Sequence, residues 1–331
     1  MKLLVLTNNP RRASFRQRIA VHIETLARHG IECELAVFPV SASARKRLFR
    51  HAAGYEGVYL HKRRLNILDA RLLRRNAKTI IYDFDDAVMY SPRRPQKASW
   101  SHARPFYRTA KLADLVIAGN SYLAGHARRS NSNVEILPTG LDTQAYSVRR
   151  PDAPSDKLRL VWIGSRSTLK YLAEIAPALE QIGTVCPNVV LRIICDDFLD
   201  LENIMVERET WSLETQCQAL AACHIGLAPL PDNRFTRGKC GFKILQYAAA
   251  GIPTVASPVG VNSEYVQEGV TGMLVDKPRQ WVEKIRTLVE NEQMRRRMGA
   301  NARDFSRDFD VAAIGRCLAD LINKYAGQFK S

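Results

Sequence analysis

RGKCGFKILQYAAAGIPTVASPVG, residues 237–260, decides how the rest of the chain is read. Gly238 and Gly241 flank Lys239, so the backbone there is expected to approach a ligand closely just before a helix begins. The spacing predicts a helix over 241–250, closed by Gly251, with Pro253 opening a strand over 254–256. The small residues Ala248, Ala249 and Ala250 let that helix lie close to a sheet. Arg237, Lys239 and Lys243 around a helix N-terminus make an anion site. Gln246 follows Lys243 by three residues and shares its helical face, where an amide can bond a ribose hydroxyl.

Outward from this stretch the same alternation recurs. Apolar strands are predicted over 2–7, 31–38, 57–60, 79–82, 114–118 and 134–137, with helices between them, the first over 14–29 and closed by Gly30. Residues 149–156, RRPDAPSD, are polar and proline-rich and read as a linker. The pattern restarts with strands over 158–163, 189–195, 224–228, 254–256 and 273–275 and a helix over 168–182. From 277 to about 325 the chain reads as helices. Continuous apolar strands alternating with helices mark βαβ units and parallel sheets covered on both faces. The expected architecture is α/β with two Rossmann-like domains, 1–150 and 151–308, facing each other across a cleft. A last helix at about 309–331 is expected to return to the first domain. The length of 331 residues suits two domains.

Charge is unevenly shared. Residues 1–150 hold 27 Lys and Arg against 11 Asp and Glu, and residues 151–331 hold 22 against 22, so the whole net charge of +16 sits in the first half. Runs such as Lys62-Arg63-Arg64 and Arg71, Arg74 and Arg75 carry much of it. Such a half suits a polyanionic partner: an anionic membrane face, an acidic glycolipid or nucleic acid. A plain solvated basic surface is the competing reading. No run of 18 apolar residues occurs, and the apolar stretch after Lys2 is too short for a signal-peptide core, so a cytoplasmic location is expected. The seven cysteines form no CxxC pair and read as reduced thiols. Neither GxGxxG nor GxxxxGK[ST] occurs, which disfavours a dinucleotide dehydrogenase or a P-loop enzyme.

Other candidate residues follow predicted strand ends, where open parallel sheets bind ligands. After the strand at 158–163 come Gly164, Ser165, Arg166 and Lys170, with Ser167 or Thr168 as expected N-cap, a second place to hold a diphosphate. After the strand at 79–82 come Asp83-Phe-Asp-Asp86, three carboxylates inside a basic half. Asp85 or Asp86 suits orienting a sugar hydroxyl, acting as a base or holding a cation; helix capping with salt bridges competes. Arg16 and Arg18 open the first helix and are candidates for phosphate or acceptor contact, as is His61 for the cleft. Trp162 reads as core. No zinc spacing and no base-stacking platform is present.

At these residues the second half resembles the nucleotide-sugar domain of retaining GT-B glycosyltransferases of the family 4 type, the glycosyl transferases group 1. The resemblance rests on Leu137-Pro-Thr-Gly-Leu-Asp142, Val161-Trp-Ile-Gly-Ser165, Ile225-Gly-Leu-Ala-Pro-Leu-Pro231, the stretch 238–257 and Glu264-Tyr-Val-Gln-Glu-Gly-Val-Thr-Gly-Met-Leu-Val275. The first half is more weakly similar to the acceptor domain, through Ala13-Ser-Phe-Arg-Gln-Arg18, Tyr82-Asp-Phe-Asp-Asp-Ala87 and Ala118-Gly-Asn-Ser121. The family usually places two glutamates eight positions apart, where this chain has Gly238 and Gln246. Asp85 stands where many members carry a cleft histidine.

The resemblance implies transfer of a sugar from a nucleotide-diphosphate donor to an acceptor hydroxyl with retention, in lipopolysaccharide, capsule or other cell-surface glycan assembly. It implies Asp85 and Lys239 as catalytic residues, and Gly164, Ser165, Arg166, Lys170, Gly238, Gly241, Lys243 and Gln246 as donor contacts. Arg16, Arg18 and Asp86 are the acceptor or phosphate contacts. No metal and no resident cofactor is expected, since the nucleotide sugar is a co-substrate. The expected partners are a lipid-linked or glycan acceptor and an anionic membrane surface, with the protein peripheral on the inner face of the cytoplasmic membrane. The rival readings are a catalytically impaired nucleotide-sugar-binding module and, with no reading motif behind it, a nucleic-acid-binding protein.

Overall fold

The structure, a computed structural model, describes residues 1–146 and 157–328. Twelve strands are found among these: β1 (Lys2–Thr7), β2 (Glu32–Val37), β3 (Gly57–His61), β4 (Thr79–Phe84), β5 (Leu115–Ala118), β6 (Val134–Ile136), β7 (Leu158–Ile163), β8 (Val189–Ile194), β9 (Met205–Glu209), β10 (Ile225–Ala228), β11 (Thr254–Ala256) and β12 (Gly272–Leu274). They form two six-stranded sheets, in the orders β2-β1-β3-β4-β5-β6 and β12-β11-β10-β7-β8-β9. Every pairing is parallel. In each sheet the strand order reverses beside the first strand: between β1 and β3 in one, between β7 and β10 in the other. Such switch points open a crevice at the carboxyl ends of the strands.

The strands are buried on both faces because their apolar residues run continuously rather than alternating. In the first sheet Leu4, Leu6, Val58, Leu60, Ile80 and Tyr82 fill one face. Leu3, Val5, Tyr59, Ile81 and Ile117 fill the other, against Ile314, Leu318 and Ile322 of the helix Val311–Gln328. The second sheet has its own core around Leu160, Trp162, Leu191, Ile193 and Leu227.

Two compact units result. The first comprises Met1–Leu141, Asn233–Cys240 and the segment from Asp310; the second comprises Asp142–Asp232 and Gly241–Phe309. The first unit thus ends at Leu141 rather than at 150, and it recovers eight residues that sequence order places in the second half. The stretch 149–156 lies outside the described residues. Three further expectations are corrected. The helix expected over 14–29 is three pieces, Ala13–Arg18, a 3-10 turn at Ala20–His22 and Ile23–Arg28, because Ile19 leaves helical geometry at φ −127. The helix expected over 168–182 is Arg166–Ala173 followed by Ala176–Val185, with Pro177 in the first turn of the latter, where a missing N–H costs nothing. Strand β9 was not expected: its sequence, MVERE, is polar, and it is held at the sheet edge by Glu207, which pairs with Arg159 and Arg192 on β7 and β8.

Candidate functional site

At the carboxyl ends of β3 and β4, four charged side chains of the first unit form one network. Lys62 Nζ lies 2.8 Å from Asp85 Oδ1 and 2.5 Å from Asp86 Oδ2. Lys239 Nζ lies 2.8 Å from Asp86 Oδ1. Burial alone would push the Asp86 carboxyl up, but Lys239 and Lys62 outweigh it and hold it well below the usual carboxylate range. Burial likewise opposes the charge on Lys62, and Asp85 and Asp86 override it, raising Lys62 above the usual ammonium range. The backbone is strained here: Lys62, at φ 55, has the one positive φ outside glycine among the described residues. Such strain costs on the order of 1–3 kcal/mol and gathers at functional sites.

Lys239 reaches this network because its loop is pinned to the first unit. Cys240 is buried in the first core, and its thiol donates to the Asp85 carbonyl oxygen at 3.2 Å. Asn120 Nδ2 donates to the Lys239 carbonyl at 3.2 Å, while Asn120 Oδ1 caps the helix Ser121–Ala127. Gly238 sits against the same unit: a Cβ there would lie 2.7 Å from Ala87 Cβ and 2.9 Å from Leu123 Cδ2. Its role as a point of ligand approach is therefore corrected. The glycine lets the backbone approach Ala87, and no carboxylate would fit at this position without displacing it.

In the second unit, β7 is followed by Gly164, where a Cβ would lie 2.4 Å from Trp162 Cη2. Ser165, not Ser167 or Thr168, is the N-cap of Arg166–Ala173, and its N–H donates to Thr168 Oγ1 at 3.1 Å. Arg166 is exposed and its Nε lies 3.1 Å from Asp197. Lys243 Nζ stands 4.2 Å from the Trp162 ring centroid, a cation–π contact on the same strand end. Gly241 takes φ 61 ahead of the helix Phe242–Ala249. Residues 229–232, 257–259 and 275–278, which follow β10, β11 and β12, line a cavity of about 640 Å3. The stretches 225–231, 238–257 and 264–275 that carry the resemblance reach this cavity at Pro229, Ser257 and Val275.

Five residues expected at the site, Arg18, Gln246, Lys170, Arg16 and His61, are placed as follows. Arg18 is 2% exposed and bound to Asp83, with its Nη2 2.9 Å from the carboxylate and its Nε 3.0 Å from both oxygens. It joins β4 to the first helix and is corrected from ligand contact to core ion pair. Asp83 is thereby separated from Asp85 and Asp86. Among the described residues no three His, Cys, Asp or Glu side chains gather as metal ligands. Gln246 is buried, and its amide nitrogen donates to Tyr146 Oη and Gln216 Oε1 at 3.1 Å each, so it braces the second unit instead of presenting a free amide. Lys170 is exposed and lies beside the Tyr171 ring. Arg16 is half-buried with its Nη1 on the Arg11 carbonyl. His61 is buried, its Nδ1 3.3 Å from Thr7 Oγ1, and burial lowers its pKa.

Residues 230–305 match the family model for glycosyl transferases group 1. A D-inositol 3-phosphate glycosyltransferase of Corynebacterium glutamicum is 36% identical over 85 residues, 25% of this chain and 20% of that protein. The corresponding enzyme of Thermobifida fusca is 24% identical over 222 residues, 57% of this chain and 50% of its own. The matched stretches thus span a fifth to a half of these relatives' length. Among solved structures, Anabaena HepE in complex with UDP and glucose has a TM-score of 0.74 at 19% identity, covering 98% of this chain and 100% of that one. Sucrose-phosphate synthase of Thermosynechococcus elongatus has a TM-score of 0.75 at 15% identity, covering 98% of each. WaaG, a glycosyltransferase involved in lipopolysaccharide biosynthesis, has a TM-score of 0.72 at 15% identity, covering 97% of this chain and 99% of its own. These likenesses establish the fold as GT-B, two Rossmann-like α/β domains.

Proposed function

We propose that this chain is a glycosyltransferase that moves a sugar from a nucleotide-diphosphate donor to an acceptor hydroxyl with retention of configuration. One observation carries the reading. The stretch that matches the glycosyl transferases group 1, 230–305, supplies most of the residues that line the 640 Å3 cavity of the second unit. A related fold, that of HepE, holds UDP. In this proposal the cavity takes the nucleotide. As the glycosidic bond breaks, negative charge gathers on the leaving diphosphate. Arg166, Lys243 and the first N–H groups of Arg166–Ala173 stabilise that charge more in the transition state than before it. Asp85, Asp86 and Lys239 act on the acceptor side, where a fixed carboxylate accepts the hydroxyl's hydrogen bond and orients it. The chemistry calls for no resident cofactor, and EDTA is expected to leave turnover unchanged.

The decisive test is a thermal-shift panel of UDP, GDP, ADP, CMP and their sugars. At about 100 times its dissociation constant the true ligand adds roughly 2.7 kcal/mol of stability. A panel in which none shifts the transition rejects the proposal. Binding without donor consumption selects instead the impaired module, a reading favoured by Gly238, which leaves no room for the usual glutamate.

The acceptor proposed is lipid-linked or part of a cell-surface glycan, reached from an anionic membrane. Among the described residues no helix is long and apolar enough to cross a membrane. The first unit instead presents Trp100, 70% exposed, with the Arg104 guanidinium 5.1 Å from its ring centroid, and Leu68, 75% exposed, on the helix that carries Arg71 and Arg75. Apolar anchors among cations suit an anionic interface, each cation contributing about 1 kcal/mol near the surface. Flotation with phosphatidylglycerol vesicles at low salt tests it; protein left at the bottom of the gradient counts against it.

A further inference from the structure

Beyond β1 and β3, at the switch point of the first sheet, lies a second cavity, of about 310 Å3, which the proposed chemistry does not use. Its lining includes Asn8, Lys62, Arg63, Arg64, Asn66 and Ser101. The volume is at the lower end of the ~300–1,000 Å3 typical of small-molecule sites.

Its charges do not cancel. Lys62 is neutralised by Asp85 and Asp86. Asp69, the carboxylate on the cavity wall, is taken by Arg45 at 3.0 Å and by Asn66 Nδ2 at 2.7 Å. Arg63 and Arg64 are left, and neither forms a salt bridge among the described residues. Arg63 Nη1 donates to Asn8 Oδ1 at 3.0 Å, and its guanidinium lies 4.2 Å from the Phe38 ring centroid. Its Nε, and Nη1 of Arg64, are buried without a hydrogen-bond partner. Two buried donors left unmade on adjacent arginines are costly, at about 1–3 kcal/mol each, and more for charged groups. Two guanidiniums on the wall of one cavity, with donors unmet by protein, suit an anionic ligand.

The surroundings favour the same sign of ligand. Asn66 is the N-cap of Ile67–Asn76, and Ser101 lies in the first turn of Trp100–Leu112, a helix with no side-chain cap and no acidic residue in that turn. The start of Trp100–Leu112 therefore adds positive potential at the cavity, while the first turn of Ile67–Asn76 carries Asp69, held by Arg45. The strained Lys62 sends its own side chain to Asp85 and Asp86, and Arg63 and Arg64 follow it on the cavity wall.

We propose that this cavity binds a phosphate group carried by the acceptor, with the Arg63 and Arg64 guanidiniums as its principal donors. Arginine suits the task because its planar fork meets phosphate oxygens two at a time. That the phosphate belongs to the acceptor rests on the glycosyltransferase reading; that the cavity binds phosphate does not.

The test is calorimetric titration of the full chain, without donor, with three probes: inorganic phosphate, glucose 6-phosphate and phosphatidylglycerol vesicles. The double variant Arg63→Gln/Arg64→Gln is expected to bind the recognised probe about tenfold more weakly or worse. Removing two exposed cations of the second unit, Arg296→Gln/Arg297→Gln, is expected to leave binding unchanged. Saturation by glucose 6-phosphate, lost in the double variant, supports the site with a soluble phosphorylated acceptor. Binding of vesicles alone, likewise lost, supports it with a lipid-borne phosphate. Should the double variant misfold on a thermal melt, Arg64→Gln alone serves, with a loss of about threefold or more. Equal affinity in parent and variant, or no binding of any probe, overturns the proposal. Because no nucleotide is used, its failure is separate from failure of the nucleotide panel.

Discussion

Lys62 at the end of β3 is 16% exposed and touches two carboxylates, whereas Arg166 at the end of β7 is 82% exposed and touches one. The contrast runs through both units. The first unit, with 31 Lys and Arg against 12 Asp and Glu, carries more than the whole excess of positive charge and fixes its strand-end ions against one another: Lys62 and Lys239 on Asp85 and Asp86, Arg18 on Asp83. The second unit, with 18 Lys and Arg against 21 Asp and Glu, is slightly acidic and leaves its strand-end cations facing solvent or resting on an aromatic ring. Ions that already satisfy one another are preorganised and cost little reorganisation when a substrate arrives. Solvent-facing cations instead release water to a ligand and contribute to affinity. In the proposed reaction the difference gives orientation to the first sheet and grip to the second, an assignment the variants below test.

The largest expected effect tests whether the first unit's ions are structural as well as ordered. Arg18→Met leaves Asp83, which is fully buried, without its partner and is expected to destabilise the protein by about 3–5 kcal/mol. The double variant Arg18→Met/Asp83→Leu is expected to recover most of that loss. Arg166→Met in the second unit is expected to change stability by less than about 1 kcal/mol, as exposed ion pairs do. Equal losses from Arg18→Met and Arg166→Met, measured by urea unfolding, would erase the contrast.

Acid sharpens it further. Six of the seven histidines precede residue 127, and His22 is 1% exposed. Burial, with Arg18 nearby, lowers its pKa from 6.5 to about 4. The unfolded chain therefore takes up a proton near pH 6.5 that the folded chain refuses until about pH 4. Stability is lost as the pH falls through that window, by an amount on the order of 3 kcal/mol, and the loss is complete below it. Hydrogen exchange at pH 5 is expected to rise first around His22 and the helix Val311–Gln328 that covers it. In His22→Gln the window is expected to flatten.

Most strands could be read from sequence because each is a short apolar run bounded by glycine, proline or a helix start. Strand β9 could not, because an edge strand stabilised by Glu207 with Arg159 and Arg192 has no apolar signal. Local pattern also says nothing about which core a loop joins. The segment Asn233–Cys240 belongs to the first unit because Cys240 enters that core, where Gly119 makes room for it: a Cβ on Gly119 would lie 2.4 Å from the sulfur. The Gly238 to Gly241 turn was legible as special but not for its reason. Arg18 reads from sequence as a phosphate or acceptor contact, since the partner that claims it lies 65 residues away. The run Lys62-Arg63-Arg64 looked like surface charge, and only the packing separates a paired lysine from two arginines with donors to spare.

The finest test of the contrast uses two lysines four residues apart. Lys239 ends on Asp86 in the first unit and Lys243 on Trp162 in the second. If the first sheet orients and the second grips, Lys239→Ala is expected to lower kcat at least tenfold, about 1.4 kcal/mol of transition-state stabilisation. Its nucleotide affinity should stay within about threefold of the parent, and its fold should be intact because Lys62 still holds Asp86. Lys243→Ala is expected to weaken nucleotide binding itself by several-fold, since it removes a charge-assisted contact from ground and transition state alike. The split is read by nucleotide titration beside donor turnover. Should Lys239→Ala cost nucleotide affinity as much as Lys243→Ala does, the loop serves the donor despite its place in the first unit. Charge ordering would then no longer separate the roles of the two sheets.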